Sequence, residues 1–231
     1  MSKAQTKAPR LYVDHDLAVG IDTPLSSDHA HYLLSVMRKN DGDAVRVFNG
    51  RDGEYLGEIK RIGKKDAVLK IAEKIQGQPE TIRATHLYFA PIKKDRLGFL
   101  IEKATELGVT DFHPVMTDHT ENRHFKHDKV IRQIVEAAEQ CERLDMPHLH
   151  DITELSDLPD DQIYAAIERQ DAKIFCPQSN YDDIAILIGP EGGWSEKEIQ
   201  SLQSRPSIIP VSLGPRILRA ETAALFMLSR I

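Results

Sequence analysis

The feature that most constrains the fold lies in the last quarter of the chain. Five consecutive apolar residues, Ile184-Ala185-Ile186-Leu187-Ile188, run straight into Gly189-Pro190-Glu191-Gly192-Gly193 and then Trp194-Ser195-Glu196-Lys197-Glu198. A short apolar run closed by turn residues reads as a strand buried on both faces. Ser195 followed three residues later by Glu198 is a capping box and predicts a helix start. Strand, glycine turn and helix together form the unit of a parallel α/β sheet, whose ligands sit beyond the carboxyl ends of the strands. The architecture then repeats: residues 207–213 read as a strand, 214–219 as a turn and 220–231 as a helix. Two glycine turns can thus face one ligand. Neither turn carries a Gly-Lys-Ser/Thr phosphate loop or a G-x-G-x-x-G dinucleotide pattern.

Upstream the pattern differs. Residues 44–75 alternate the β-like runs VRVF, EYLGEI and AVLKI with the turn signals Asn49-Gly50, Asp52-Gly53 and Gly63-Lys64-Lys65. This predicts a small all-β unit, preceded by a short helix near His31 to Met37 and followed by a linker over residues 76–80. Beyond it, strands alternate with helices: THLYFAP at 85–91, a helix with Leu97, Leu100, Ile101, Ala104 and Leu107 on one face, DFHPVM, and a helix marked by Val130, Ile131, Ile134, Val135, Ala138 and Cys141. QIYAAIER and AKIFCP each fit a short strand or a helix fragment. The expected division is a β domain over residues 1–75 and an α/β domain over residues 80–231.

The formal net charge of −6 excludes a protein coated in positive potential. Basic side chains nonetheless cluster locally, at Lys93, Lys94, Arg96 and Lys103 and again at Arg123, Lys126, Lys129 and Arg132. No apolar run reaches membrane-spanning length and Met1 to Pro9 is polar, so a cytoplasmic protein is expected. Cys141 and Cys176 have no partner spacing for zinc or a disulfide and read as small buried residues. His113, His119, His124 and His127 lie close in sequence without the Cys or carboxylate pattern of a metal site, and no metal is expected. The terminal helix, AETAALFMLSRI, is apolar around most of its circumference and should be buried, a subunit interface being one place for it. Arg219 and Glu221 flank its start. They could act on a ligand or form an ion pair with each other.

ILIGPEGGWSEKEI and LGPRILRAETAA closely resemble the two C-terminal motifs of the ribosomal RNA small-subunit uridine-N3 methyltransferases, of the SPOUT class. Pro9-Arg10-Leu11-Tyr12, His31 with Val36-Met37-Arg38, Lys93, Arg96, Glu102 to Val109 and Ala137-Ala138-Glu139-Gln140 extend the resemblance along the chain. The segment Cys141 to Asp145 departs from that family's pattern. The resemblance implies a PUA-like β-barrel that helps hold RNA, followed by a trefoil-knotted SPOUT domain with a mostly parallel sheet, in a homodimer.

It further implies S-adenosylmethionine as cofactor, held by Leu187, Ile188, Gly189, Glu191, Gly192, Gly193, Leu213, Gly214, Ile217, Leu218 and Thr222. Small-subunit rRNA or the 30S subunit is the implied partner, with the methyl group delivered to N3 of one uridine. Arg219 and Glu221 are the candidates beside the reacting base. Arg10, Arg38, Lys93, Arg96 and Lys103 are the candidate phosphate contacts. Two other readings compete: a ribosome-assembly or RNA-binding protein that keeps the fold without the chemistry, and an α/β enzyme with a different nucleotide ligand.

Overall fold

The computed structural model describes residues 7–80, 83–121, 124–168, 172–177 and 183–231. The chain clusters into two compact units, Met1–Thr81 with Ala138–Met146, and Ile82–Ala137 with Pro147–Ile231.

The first unit contains β1 (Arg10–Tyr12), β2 (Asp22–Pro24), α1 (Ser27–His31), β3 (Ala44–Phe48), β4 (Glu54–Arg61) and β5 (Ala67–Gln76). Helix α1 begins at a Ser26 cap and widens into a single π-helical turn over Tyr32–Val36. The strand order is β1-β3-β4-β5-β2; β1 runs parallel to β3 and the other pairs are antiparallel. Along β5 Ala67, Leu69 and Ile71 are buried while Lys70 faces water, the period of two that places one face on a core with Leu33, Val45, Val47 and Ile59. Register shifts between β4 and β5, at Glu54/Tyr55 and Leu56/Gly57, bend and twist the pair.

Segment 138–146 is tied to this unit by a buried ionic cluster. Arg10 donates to Glu54 at 2.8 Å, to the Ala138 carbonyl at 2.8 Å and to the Arg143 carbonyl at 2.7 Å. Arg46 donates to the same Glu54 oxygen at 2.9 Å and to Glu142 at 2.7 Å. The Arg10, Arg46 and Glu54 side chains are 5%, 3% and 2% exposed. Arg10 is therefore a structural residue and not a phosphate contact, because its donors are spent inside the fold and its guanidinium lies over the Phe48 ring.

The second unit contains β6 (Thr85–Phe89), α2 (Lys94–Glu106), β7 (Asp111–Met116), α3 (His127–Gln140, clustering with the first unit from Ala138 on), β8 (His148–Leu149), β9 (Thr153–Glu154), β10 (Ile163–Ala166), β11 (Ile184–Ile188), α4 (Glu196–Ser204), β12 (Ile208–Val211) and α5 (Ala220–Leu228). Its sheet is parallel throughout in the order β12-β10-β11-β6-β7-β8, with β9 also on β7. All five residues of β11 are buried, as expected of a strand covered on both faces. Within QIYAAIER, Ile163–Ala166 form strand β10, between β11 and β12.

Helix α5 packs on α2 and β11 and buries Ala220, Ala223, Ala224, Met227 and Leu228, so most of its apolar character is absorbed within its own chain. Leu107, expected on the buried face of α2, is exposed because the helix stops at Glu106 and the chain turns at Gly108 with φ +92°. Both cysteines are exposed, against expectation: Cys141 follows the last residue of α3, and Cys176 adjoins the buried Phe175. Among the described residues, no helix is long and apolar enough to cross a membrane.

Candidate active site

In a parallel sheet every strand ends at the same edge, so the loops after β10, β11 and β12 emerge side by side. Together they enclose a cavity of about 290 Å³, near the lower end of the roughly 300–1,000 Å³ usual for small-ligand sites. Ile167 and Glu168 come from the first loop, Gly189, Pro190, Gly193 and Trp194 from the second, and Ser212 to Leu218 from the third; Ala220 and Ala223 of α5 complete the wall. Glu168 and Arg216 are the charged side chains of this lining.

The second loop is braced from two sides. Trp194 donates its indole N–H to the Ala166 carbonyl at 3.0 Å, and a Cβ on Gly189 would lie 2.8 Å from the Trp194 ring, so only glycine allows this packing. The capping box forms as expected: Ser195 Oγ accepts from the Glu198 amide at 3.2 Å, and Glu198 accepts from the Ser195 amide at 2.8 Å. Both side chains also reach the turn after β7, Glu198 accepting from the Asp118 amide at 2.8 Å and Ser195 Oγ donating to the Asp118 carboxylate at 2.6 Å. His119 Nδ1 lies 2.9 Å from the Gly193 carbonyl, a pairing that requires the proton on Nδ1.

Of the residues expected to hold a cofactor, Ile188, Gly189, Gly193, Leu213, Gly214, Ile217 and Leu218 line the cavity. Four do not. Leu187 points into the apolar core with Ala165 and Leu202, because strand residues alternate faces. Glu191 turns toward the start of α2, where it accepts from the Lys93 amide at 3.1 Å. Gly192 is small for the sake of His119, whose Cβ would lie 3.1 Å from a Cβ there. Thr222 is exposed on α5. Ala166 to Glu168 and Trp194 also line the cavity and were not among the residues expected there. The signal for the first three was the carboxyl end of QIYAAIER, usable only once that segment is known to lie beside β11.

The family of RNA methyltransferase domains matches residues 79–231, and that of RNA methyltransferase PUA domains matches residues 25–72. A ribosomal RNA small subunit methyltransferase E of Rickettsia conorii is 34% identical over 97% of this chain and 95% of its own. The chain belongs to the ribosomal RNA small subunit methyltransferase E family. A relative of the same name from Synechocystis is 31% identical over 100% of this chain and 79% of its own. The crystal structure of a ribosomal RNA small subunit methyltransferase E from Neisseria gonorrhoeae, bound to S-adenosyl methionine, superposes with a TM-score of 0.84 at 27% identity, over 96% of this chain and 95% of that one. The second unit is accordingly a SPOUT-class α/β methyltransferase fold, and the curled sheet of the first is PUA-like.

Beside the cavity of this methyltransferase, Arg219 caps the start of α5 with an exposed side chain and forms no ion pair among the described residues. Glu221 is buried, with one carboxylate oxygen 3.8 Å from Arg96 Nε and the other without a partner among the described residues. An Arg219–Glu221 ion pair is thus absent, and the cation facing Glu221 is Arg96. Arg96 also lies 4.0 Å from Glu191, so it bridges the glycine loop and α5. Lys93 pairs with Glu121 at 3.1 Å, and Lys103 with Glu102 at 2.7 Å and Glu106 at 2.8 Å. Arg38, in the other unit, is exposed with φ +54° just beyond the π-helical turn. Arg123 lies outside the described residues. His124 lines a small pocket with Lys94, Lys126 and Lys129.

Proposed function

We propose that this methyltransferase transfers the methyl group of S-adenosylmethionine to N3 of a uridine in 16S rRNA. The observation that carries the reading is the cavity where β10, β11 and β12 end. Its walls supply what the cofactor's parts require: apolar surface from Ile188, Ile217 and Leu218 for a flat base, backbone groups of glycine loops, the carboxylate of Glu168 and the guanidinium of Arg216. When bound, S-adenosylmethionine supplies a methyl carbon made electrophilic by its sulfonium. The chain's own task is to bring N3 in line with that carbon and to accommodate the negative charge that N3 and its carbonyls gain as the N3 proton leaves.

Arg219, exposed beside the cavity and without an ion pair among the described residues, takes that role. The free oxygen of Glu221 is an acceptor held in place by Arg96. N3 lies on the Watson–Crick edge, so the target uridine must be unpaired or flipped out of its helix. Arg38, Lys93, Arg96 and Lys103 are the proposed contacts to the RNA phosphates; Lys93, Arg96 and Lys103 already face carboxylates that would compete, which makes Arg38 the freest of them. Residues 1–75 are the RNA-holding domain and residues 80–231 the methyltransferase domain, acting in the cytoplasm as a homodimer. Leu225 and Phe226 of α5, half-buried, and the exposed Phe99 of α2, a helix that packs on α5, are apolar side chains that a second copy could cover.

The test is methylation of 16S rRNA lacking the modification, followed by mass mapping of the modified nucleoside. N3-methyluridine at a single position supports the reading. Cofactor binding without methyl transfer would favour an RNA-binding protein that has lost its chemistry.

A further inference from the structure

The second unit carries a group of histidines that the methyl-transfer reading does not use. His86 on β6 stands opposite Asp111 on β7, and Tyr88 opposite His113, in parallel register. Side chains two apart on a strand share a face, so all four project from one side of the sheet. His86 Nδ1 and His113 Nε2 are 3.0 Å apart, and His86 Nδ1 lies 3.8 Å from the Asp111 carboxylate. One donor atom from each of the three residues falls within 4.8 Å of the others. A tetrahedral ion with metal–nitrogen bonds of about 2.0–2.1 Å holds two nitrogens about 3.3 Å apart, so the imidazoles would open by only a few tenths of an ångström to receive one.

We propose that His86, Asp111 and His113 form a binding site for a divalent first-row transition ion, zinc being the natural occupant of a donor set of two imidazoles and one carboxylate. The surroundings orient each ligand, as outer partners do in metal sites. His150 Nε2 lies 2.8 Å from the second oxygen of Asp111, and the Thr110 hydroxyl donates to the first at 2.8 Å. The His113 ring is stacked between Tyr88, at 4.2 Å, and His150, at 3.9 Å, which fixes its direction. His86 and Asp111 keep side-chain exposures of 31% and 22%, enough for an ion to enter and for water to complete its shell.

This site is separate from the cofactor cavity. His86 pairs with Ala185, near the amino end of β11, whereas the cavity begins at Ile188; three residues of strand put roughly 10 Å between these levels. The bound ion would clamp β6 to β7 at their amino ends and stabilise the sheet without entering the methyl transfer. Sequence spacing led to no metal being expected, because the partner of His113 lies 27 residues before it on the adjacent strand.

The full chain, stripped with a chelator and titrated calorimetrically with zinc chloride, is expected to bind one ion with a Kd of micromolar or below. His86→Gln and His113→Gln are expected to weaken that binding at least 100-fold, with circular dichroism and metal-free melting temperature close to wild type. Should a variant fail to fold, an anomalous difference map from zinc-soaked crystals of the unaltered chain decides alone: a peak between His86, His113 and Asp111 supports the site, and a peak only elsewhere, or none, overturns it. Absence of saturable binding below about 1 mM, or undiminished binding in folded His86→Gln, also overturns it.

Discussion

Arg219 and Glu221 stand two residues apart at the start of α5, yet the structure gives them different company: Glu221 turns inward toward Arg96, and Arg219 stays exposed. An ion-pair role for Arg219 toward Glu221 is therefore unavailable as an explanation of a mutant's loss. Arg219→Ala should lower the single-turnover methylation rate by about 100- to 1,000-fold, the usual worth of a donor aimed at charge that develops in the transition state. Cofactor affinity and melting temperature should barely change. Arg219→Lys should restore only part of the rate, because an ammonium lacks the planar fork. A near-normal single-turnover rate in folded, cofactor-bound Arg219→Ala would remove the residue from the reaction. Gly192→Val tests a different contact. Its side chain would press on His119 and disturb the hydrogen bond to the Gly193 carbonyl, so cofactor affinity should fall through a displaced loop; unchanged affinity by calorimetry would show that this brace does not matter.

At the scale of elements, the apolar run 184–188 and the capping box were legible because both are local: five apolar residues must be covered, and Ser195 and Glu198 satisfy orphan helix amides within one turn. The structure adds a use that local pattern cannot encode. Ser195 and Glu198 also hold Asp118, some 80 residues earlier in the chain. Ser195→Ala should therefore cost more than the ~1 kcal/mol of an ordinary N-cap, read from urea unfolding, and should also weaken cofactor binding; a loss no greater than that of an isolated cap would show the Asp118 link to be idle. The lining from β10 was illegible for the complementary reason. QIYAAIER has too few residues for its period to distinguish strand from helix, and only its place between β11 and β12 brings Glu168 to the cavity. Leu187 and Thr222 were assigned by motif membership, which does not say which face of an element a residue occupies.

Across the whole molecule, the arginines divide by burial, which sequence charge counts do not reveal. Arg10 resembles a phosphate ligand in sequence but is enclosed with Arg46 and Glu54. Removing one member of a buried cluster leaves uncompensated charge, so Glu54→Ala should lower stability by about 3–5 kcal/mol. Equilibrium unfolding measures this, and a loss below about 1 kcal/mol would mean that water reaches the cluster. Arg38→Glu should instead leave stability intact, weaken rRNA binding and flatten its dependence on salt; unaltered affinity would place the RNA elsewhere.

Ile217 gives the cleanest test of whether the cavity at the ends of β10, β11 and β12 receives S-adenosylmethionine. It lines the cavity yet is 64% exposed, so its replacement should cost the fold little. Covering such a side chain with a ligand contributes up to about 1.5–3 kcal/mol, or roughly 10- to 150-fold in affinity. Calorimetry of the unaltered chain and Ile217→Asp with S-adenosylmethionine should show saturable binding in the first and at least tenfold weaker binding in the second, at equal melting temperatures. Equal affinity in the two proteins, or no binding in the unaltered chain, would rule this cavity out as the S-adenosylmethionine site.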